Sequence, residues 1–351
     1  GPDAASSWMN TAWLGLTILG FYFFYVMYTA PYNALISELG HNPKERLFIS
    51  TAIGVTWSLG FAVGSLVYDF QTALENTGMS STRAFQTVQA VFAILSLVLM
   101  ALPVLVIDEK RYAAYSASDE GTLKALVSSL RNCNFVRFLG SELLYNVCQT
   151  TIQVGLVYYV VTLLGLQKEV TTTLLLVMFA LSFLFYPLVT AAAVRWEKKR
   201  VTVIGFILLA LLFVLFAFMG VAPVPGILYA YMTVAVGALP IAIFTIVPNA
   251  IVADIAEADG IETGNFKAGM FFGVRSFETN VGISIANVVF PSLLALGMSV
   301  EHPFGIRMSA VVSVIICIGG LGIMLFYDEK AVLRSLAKKE KLSAREIREL
   351  D

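Results

Sequence analysis

Charge is scarce in this chain. Acidic and basic residues make up 13% of its 351 residues, where a soluble domain carries about a quarter. That scarcity excludes an ordinary water-soluble domain. The net charge of −1 offers no basic footprint for nucleic acid. Cysteine is also rare. Cys148 and Cys317 lie inside apolar runs and Cys133 lies at the edge of one, so no disulfide framework is implied. His41 and His302 fall in loops on opposite sides and cannot share a metal. No phosphate-cradling glycine loop, nucleophile elbow or zinc spacing occurs, so nothing points to an enzyme or a resident cofactor. The chain begins Gly1-Pro2-Asp3, without a Met start, signal peptide or charged leader. Together with the topology below, this reads as a piece lacking its first spans.

What the chain has is apolar length. Hydrophobic residues reach 58%, the mean hydropathy is +0.79, and the apolar residues fall in blocks of about 20, enough to cross a hydrocarbon core. The pattern predicts an all-α polytopic membrane protein with nine spans: 12–37, 47–68, 86–107, 138–164, 170–194, 201–220, 226–249, 268–297 and 305–327. Alternating spans put 19 of the 23 basic residues on the side of the C-terminal tail. Arg83, Lys168 and Arg307 fall on the other side, and Arg275 falls within a span. The positive-inside rule therefore places the tail in the cytoplasm and residue 1 outside, in a plasma membrane (the inner membrane of a bacterial cell). The stretch 108–137 separates three spans from six. It begins polar at Ser116–Gly121 and becomes amphipathic through Leu123, Leu126, Val127 and Leu130, as a linker with a surface helix would. The expected organisation is a remainder of an N-terminal bundle (1–107), a cytoplasmic linker (108–137), a C-terminal six-helix bundle (138–327) and a cytoplasmic tail (328–351). The tail alternates Lys, Arg and Glu, and is expected to be a solvated or membrane-skirting helix with a capping box at Ser343 and Glu346. Gly60 and Gly64 have the spacing of a close helix contact.

Polar residues inside the apolar runs carry the functional argument, because lipid penalises them unless they face protein or water. Glu142, Asn146, Gln149 and Gln153 fall within about 60° of one another at 100° per residue. Such a stripe faces either a cavity or a neighbouring helix. The first span places Tyr25, Thr29 and Tyr32 on one face, with Asn33 beside them and Pro31 free to bend the helix. The seventh contains Pro240 and Pro248, with Thr245 and Asn249 nearby, and interrupted helices of this kind line carrier binding sites. In the eighth, Ser276, Asn280, Ser284 and Asn287 share a stripe, while Arg275 and Glu278 are i,i+3 neighbours on another face. The expected role of Arg275 and Glu278 is a structural or gating ion pair; the sharper reading makes Glu278 a proton or cation site. Between the seventh and eighth spans stands what reads as a short acidic turn, Asp254 through Gly260, followed by Glu262-Thr263-Gly264.

That run, with Lys267 through Gly273 after it, resembles the melibiose-carrier-like members of the glycoside–pentoside–hexuronide:cation symporter family, within the major facilitator superfamily. Pro31-Tyr32-Asn33 through Arg46 resembles the end of that family's fourth helix and the loop after it. Arg131-Asn132 to Phe138 resembles the start of its seventh helix, and Arg195 to Lys199 its basic loop after the eighth. The resemblance implies twelve helices, nine of them present here, in two pseudo-symmetric bundles around a central cavity with alternating access. It also carries site positions across with departures. The cation-binding carboxylate falls on Thr29 and the sugar-stacking aromatic on Asn33. The fifth-helix arginine falls on Gly54, the tenth-helix tryptophan on Thr245 and the eleventh-helix lysine on Asn280.

The expected function is a symporter-like secondary active transporter of a small polar solute such as a glycoside, acting as a monomer in the lipid bilayer and driven by Na+ or H+ if coupled. The alternatives are a lipid or lysolipid carrier on the same fold and a non-transporting sensor or scaffold. The expected cavity set is Tyr25, Thr29, Asn33, Glu142, Asn146, Gln149, Thr245 and Asn280, with Glu142 the leading ionisable group. Without its first helices, the 351-residue chain is expected not to transport alone.

Overall fold

The computed structural model describes residues 7–40, 42–106, 121–221 and 223–348. Only the second half of the expected linker is therefore visible. Twelve α-helices follow in order: α1 Ser7–Leu39, α2 Pro43–Ser65, α3 Val67–Glu75, α4 Ser81–Val106, α5 Thr122–Arg131, α6 Cys133–Tyr158, α7 Lys168–Arg195, α8 Lys198–Ala217, α9 Gly226–Thr263, α10 Ala268–Leu294, α11 Phe304–Leu325 and α12 Glu329–Arg348. A π-helical turn, Tyr159–Leu163, extends α6. No strand occurs among the described residues. An apolar chain in lipid must satisfy its backbone internally, and helices do so.

Seven of these helices are long and apolar enough to cross a membrane, against the nine spans expected. The two that fall short are the expected spans 47–68 and 138–164. They fold as α2 and α6, of 23 and 26 residues. α6 has the length but falls short in apolarity; α2 is not among the seven because Phe61, Ala62 and Ser65 lie outside the described side chains. α2 carries Ser50, Thr51, Thr56 and Ser58, and α6 carries Glu142, Asn146, Gln149, Thr150 and Thr151.

The second correction concerns the acidic turn. α9 does not end at Asn249 but continues to Thr263, 38 residues in all, or about 57 Å at 1.5 Å per residue. Asp254, Glu257 and Asp259 thus stand on its last turns, buried. The reason is visible in the residues between them. Ile251, Val252, Ala253, Ile255, Ala256 and Ala258 are all buried, so this segment is packed all round and the acids are carried inward with it. The true turn is at Gly264, in the left-handed region at φ 76°. Chain reversal then brings the Phe266 ring onto Gly260, where a Cβ would stand 2.4 Å from it.

The core is formed by α6 to α11. α8 packs on α9 and α11, α7 on α9, and α6 on α10 and α11. The earlier helices join this core from outside. α1 packs on α10 and α9, and α2 on α9 and α7, whereas α4 touches mainly α3. α1 leaves Trp8, Trp13, Leu16, Leu19 and Phe23 exposed. Gly60 and Gly64 meet nothing within 4 Å, so the close contact expected from their spacing is not found among the described residues. Cys148 and Cys317 are free and buried, their sulfurs 3.4 Å apart between α6 and α11.

The tail end of the bundle is bound together by helix termini. The α8 N-terminus needs acceptors for its first N–H groups. Glu329 supplies both: Oε1 accepts from the Lys198 N–H at 2.9 Å and Oε2 from the Lys199 N–H at 2.7 Å. In return Lys199 Nζ donates to the carbonyls of Leu325 and Tyr327 after α11, at 2.7 and 2.6 Å. α12 thereby docks against α9, burying Val332, Ser335 and Leu336, and Ser335 donates to Glu262. The tail helix is not the free, solvated one expected. The capping box at Ser343 and Glu346 lies outside the described side chains.

Candidate functional site

Two ionic centres lie along α9, one at mid-depth and one at the tail end. The mid-depth centre is built where α6 and α10 run side by side, opposite α9. Arg275 of α10 grips Glu142 of α6 from two directions: Nε lies 2.9 Å from both carboxylate oxygens and Nη2 lies 2.6 Å from Oε1. Its remaining arm, Nη1, donates to Asn249 Oδ1 of α9 at 2.5 Å. A forked guanidinium–carboxylate contact fixes orientation as well as charge, so three helices are held in register by one side chain. One turn further in, Asn146 Nδ2 donates to Glu278 Oε1 at 3.3 Å and approaches Thr279 Oγ1 at 3.5 Å. Close packing makes this possible: a Cβ on Gly282 would stand 2.8 Å from the Asn146 Cβ. Beside the cluster, Tyr145 stacks on Phe244 with centroids 3.9 Å apart and planes at 13°, and Phe206 meets the same ring edge-on at 4.8 Å.

The intrahelical pair expected between Arg275 and Glu278 is therefore corrected. Arg275 makes its ion pair with Glu142 on a neighbouring helix. An i,i+3 spacing permits a pair, but an aligned carboxylate on the facing helix offers both oxygens at once. Glu142, expected as the free ionisable group of a cavity, is 4% exposed and fully engaged.

The other expected site residues divide. Glu142 and Asn146 are brought into the cluster, and Gln149 follows them one turn on, its Oε1 buried without a partner. Asn280 turns back to the Ser276 carbonyl of its own helix at 2.8 Å. Thr29 and Thr245 do likewise, to the carbonyls of Tyr25 and Ile241. Asn33 is half-buried on α1. Tyr25 is 48% exposed and stacks on Phe21 of the same helix, 6.0 Å away. Thr245 also forms half of a close helix contact. A Cβ on Gly54 of α2 would lie 3.1 Å from its Cγ2. The two positions onto which the resembled family's arginine and tryptophan fall thus face each other, with no room at Gly54 for a side chain as α2 and α9 are packed. α2 is also held to α7 by Thr51–Thr190 at 2.7 Å and Ser58–Tyr186 at 2.5 Å.

The tail-end centre turns on Arg46 of α2, 1% exposed. Asn42 starts that helix: its Oδ1 accepts from the N–H groups of Lys44 and Glu45 at 3.1 and 3.0 Å, its Nδ2 donates to Glu45 Oε1 at 2.8 Å, and Pro43 occupies the first turn. This is the N-cap arrangement a helix start favours. Arg46 then reaches inward. Nε donates to the Gly40 carbonyl at 3.0 Å, Nη1 to Asp254 Oδ1 at 3.1 Å and Nη2 to Glu257. Only glycine fits at 40, where a Cβ would stand 2.5 Å from the Arg46 Cγ. Lys198 of α8 binds the second oxygen of Asp254. Nearby, Lys267 pairs with Asp259 at 3.1 Å, and Asn132 donates to Asp259 at 3.0 Å. Outside the membrane spans, burial pushes the Glu329 carboxyl above its ordinary value against its two N–H bonds.

Sequence reading missed this second centre as a site. Its residues were visible as a Glu-Arg loop and an acidic turn. Their signal was the mixture of acids with Ile, Val and Ala at helical spacing, which marks a buried helix that needs cationic partners.

Chemically, the mid-depth cluster offers unpartnered acceptors beside buried aromatic rings, and no nucleophile in it is paired with a base. Among the described residues no group of three or more His, Cys, Asp or Glu is placed to hold a metal. No curated protein matches the chain. A family profile described as MFS/sugar transport protein matches residues 2–329, on both sides of the linker. With membrane-length apolar helices and a profile matched over almost its whole length, the chain belongs to the MFS/sugar transport protein family of the major facilitator superfamily.

Proposed function

We propose that this protein is a secondary active carrier of a small polar solute, with glycosides the first class to try, working by alternating access between the helices before and after residues 108–137. The observation that carries the reading is the pairing of two ionic centres on one helix. α9 binds α6 and α10 through Asn249 and Arg275 at mid-depth, and binds α2 through Asp254 and Glu257 at the tail end. A mid-membrane polar cluster beside stacked aromatics suits a hydroxylated ligand. A buried but separable ion network between the two sets of helices suits a gate. In this reading α2 and α6 also cross the bilayer with their polar faces inward, giving nine spans. The tail lies in the cytoplasm by the positive-inside rule, so the Arg46 network is a closed cytoplasmic gate. Glu142, Asn146, Gln149, Thr245, Thr29, Asn33, Tyr25 and Asn280 are the candidate path-lining set. Placement near the melibiose-carrier-like symporters rests on the motif resemblance.

The test is exchange of radiolabelled glycosides, hexoses and lysolipids across proteoliposomes holding the full-length protein. Glycoside exchange is expected, with loss of more than ten-fold in Arg275→Ala, because that change frees α6, α9 and α10 from one another. Exchange of lysolipid but not glycoside would move the assignment to a lipid carrier. No exchange of any solute would favour a non-transporting membrane scaffold.

A further inference from the structure

The mid-depth cluster contains two carboxylates and one cation. Arg275 is committed to Glu142 and Asn249. Glu278 receives only the amide of Asn146, on Oε1; its Oε2 is buried with no partner, and the residue is 7% exposed. Glu142, Arg275 and Glu278 all stand away from the first and last turns of α6 and α10. Glu278 lies ten residues into the 27 of α10, about 15 Å along its axis, close to the middle of a hydrocarbon layer. The cluster therefore holds one negative charge more than it balances, at the depth where lipid penalises charge most.

The unsatisfied atoms say what is missing. Gln149 Oε1, on the same face of α6 one turn beyond Asn146, is the other buried oxygen without a partner in this region. Both orphans are acceptors. An arrangement short of donors, with an excess negative charge, is completed by a cation that brings a donor with it.

We propose that the Glu278 carboxyl is a proton-binding site, with Oε2 the atom that takes the proton, and that this site couples the carrier to a proton gradient. The coupling part rests on the carrier reading; the binding part does not. The step balances simply: one proton from water joins the Oε2 lone pair, the carboxylate becomes a neutral acid, and the cluster's charge falls to zero. Facing Glu278 is Glu142 of α6, already held by Arg275, with Arg275 on its own helix. α9 contributes neutral Asn249. α1 and α11, the other long neighbours of α10, place no acidic or basic side chain at this depth, and α5 lies at the tail end. A sodium ion fits less well, because the described oxygens free to ligate it are two.

The test is infrared difference spectroscopy of the full-length protein in liposomes, with a pH step as the probe. A protonated carboxyl in an apolar setting gives a C=O band apart from the amide bands. That band is expected in the parent protein, to fade as pH rises, to vanish in Glu278→Gln and to persist in Glu262→Gln, whose carboxylate meets Ser335 at the surface of the tail end. A band that survives Glu278→Gln, or no band at all, overturns the proposal. So does a band bleached by Na+ at constant pH, which would make the site a metal-cation site. If Glu278→Gln does not fold, Glu278→Asp must shift the band, and an unshifted band is equally fatal. In proteoliposomes that exchange solute, Glu278→Gln should abolish accumulation driven by a pH gradient and spare solute exchange. Loss of neither would refute coupling while leaving the carrier reading intact.

Discussion

Arg46 shows what one side chain does in this protein. It is buried, it satisfies the Gly40 carbonyl, and it holds two carboxylates of another helix. Removing one partner of a buried ionic group costs about 3–5 kcal/mol, because the others are left charged and dry. Arg46→Ala is therefore expected to lower the thermal midpoint of the purified protein strongly. Arg46→Lys should fall between the two, since a lysine keeps the charge but not the fork. Equal midpoints for Arg46→Ala and the parent protein would show that the network contributes nothing to the resting structure. The same residue marks a limit of sequence reading. Glu45-Arg46 is visible as a loop motif, but its partners lie some 200 positions away, and no helical spacing relates them. Arg275 fails in the same way: the wheel offers Glu278, and only packing brings Glu142.

Elements were more legible than contacts. Apolar blocks of membrane length delivered seven apolar helices; the run after residue 121 folds as α5, but Leu123, Val127 and Leu130, on which its amphipathic reading rested, are exposed, and Ala125 and Ser129 are buried instead. Hydropathy ranked α6 low because the residues that make it interesting are polar. It also misplaced the end of α9, since acidic residues read as solvated until their cations are known. The mutual capping of α8 and α11 was beyond reach, as it joins residues from two separate segments. It can be tested directly. Glu329→Ala leaves two N–H groups without acceptors and should cost about 1 kcal/mol, with faster amide exchange at Lys198 and Lys199. A pH effect follows from the raised carboxyl. A carboxyl whose folded value lies above its unfolded one stabilises the fold below the unfolded value, and that contribution is lost as pH rises through the folded value. The parent protein should accordingly gain stability on acidification through that window, relative to Glu329→Gln. An identical pH profile for the two would exclude Glu329 as the cause.

At the scale of the whole molecule, the seam between α2 and α9 is where the two sets of helices must part if the carrier reading holds. A Cβ on Gly54 would stand there 3.1 Å from the Thr245 Cγ2. Cysteines at both positions should form a disulfide under mild oxidation and block exchange, and reductant should restore it. A cross-linked protein that still exchanges solute would show that this seam stays shut throughout. A quieter consequence lies in α9 itself. Asn249, tied to Arg275, and Asp254, tied to Arg46 and Lys198, are five residues apart with no proline between them, about 7.5 Å of stiff rod. In the carrier reading, the rod would carry a shift at either tie to the other without any relay of intervening side chains. Thermodynamic linkage then demands reciprocity: whatever solute tightens the upper tie must, by the same factor, alter the strength of the lower one. In the carrier reading, loosening Arg46 should therefore change how tightly the protein holds a solute bound at the upper tie.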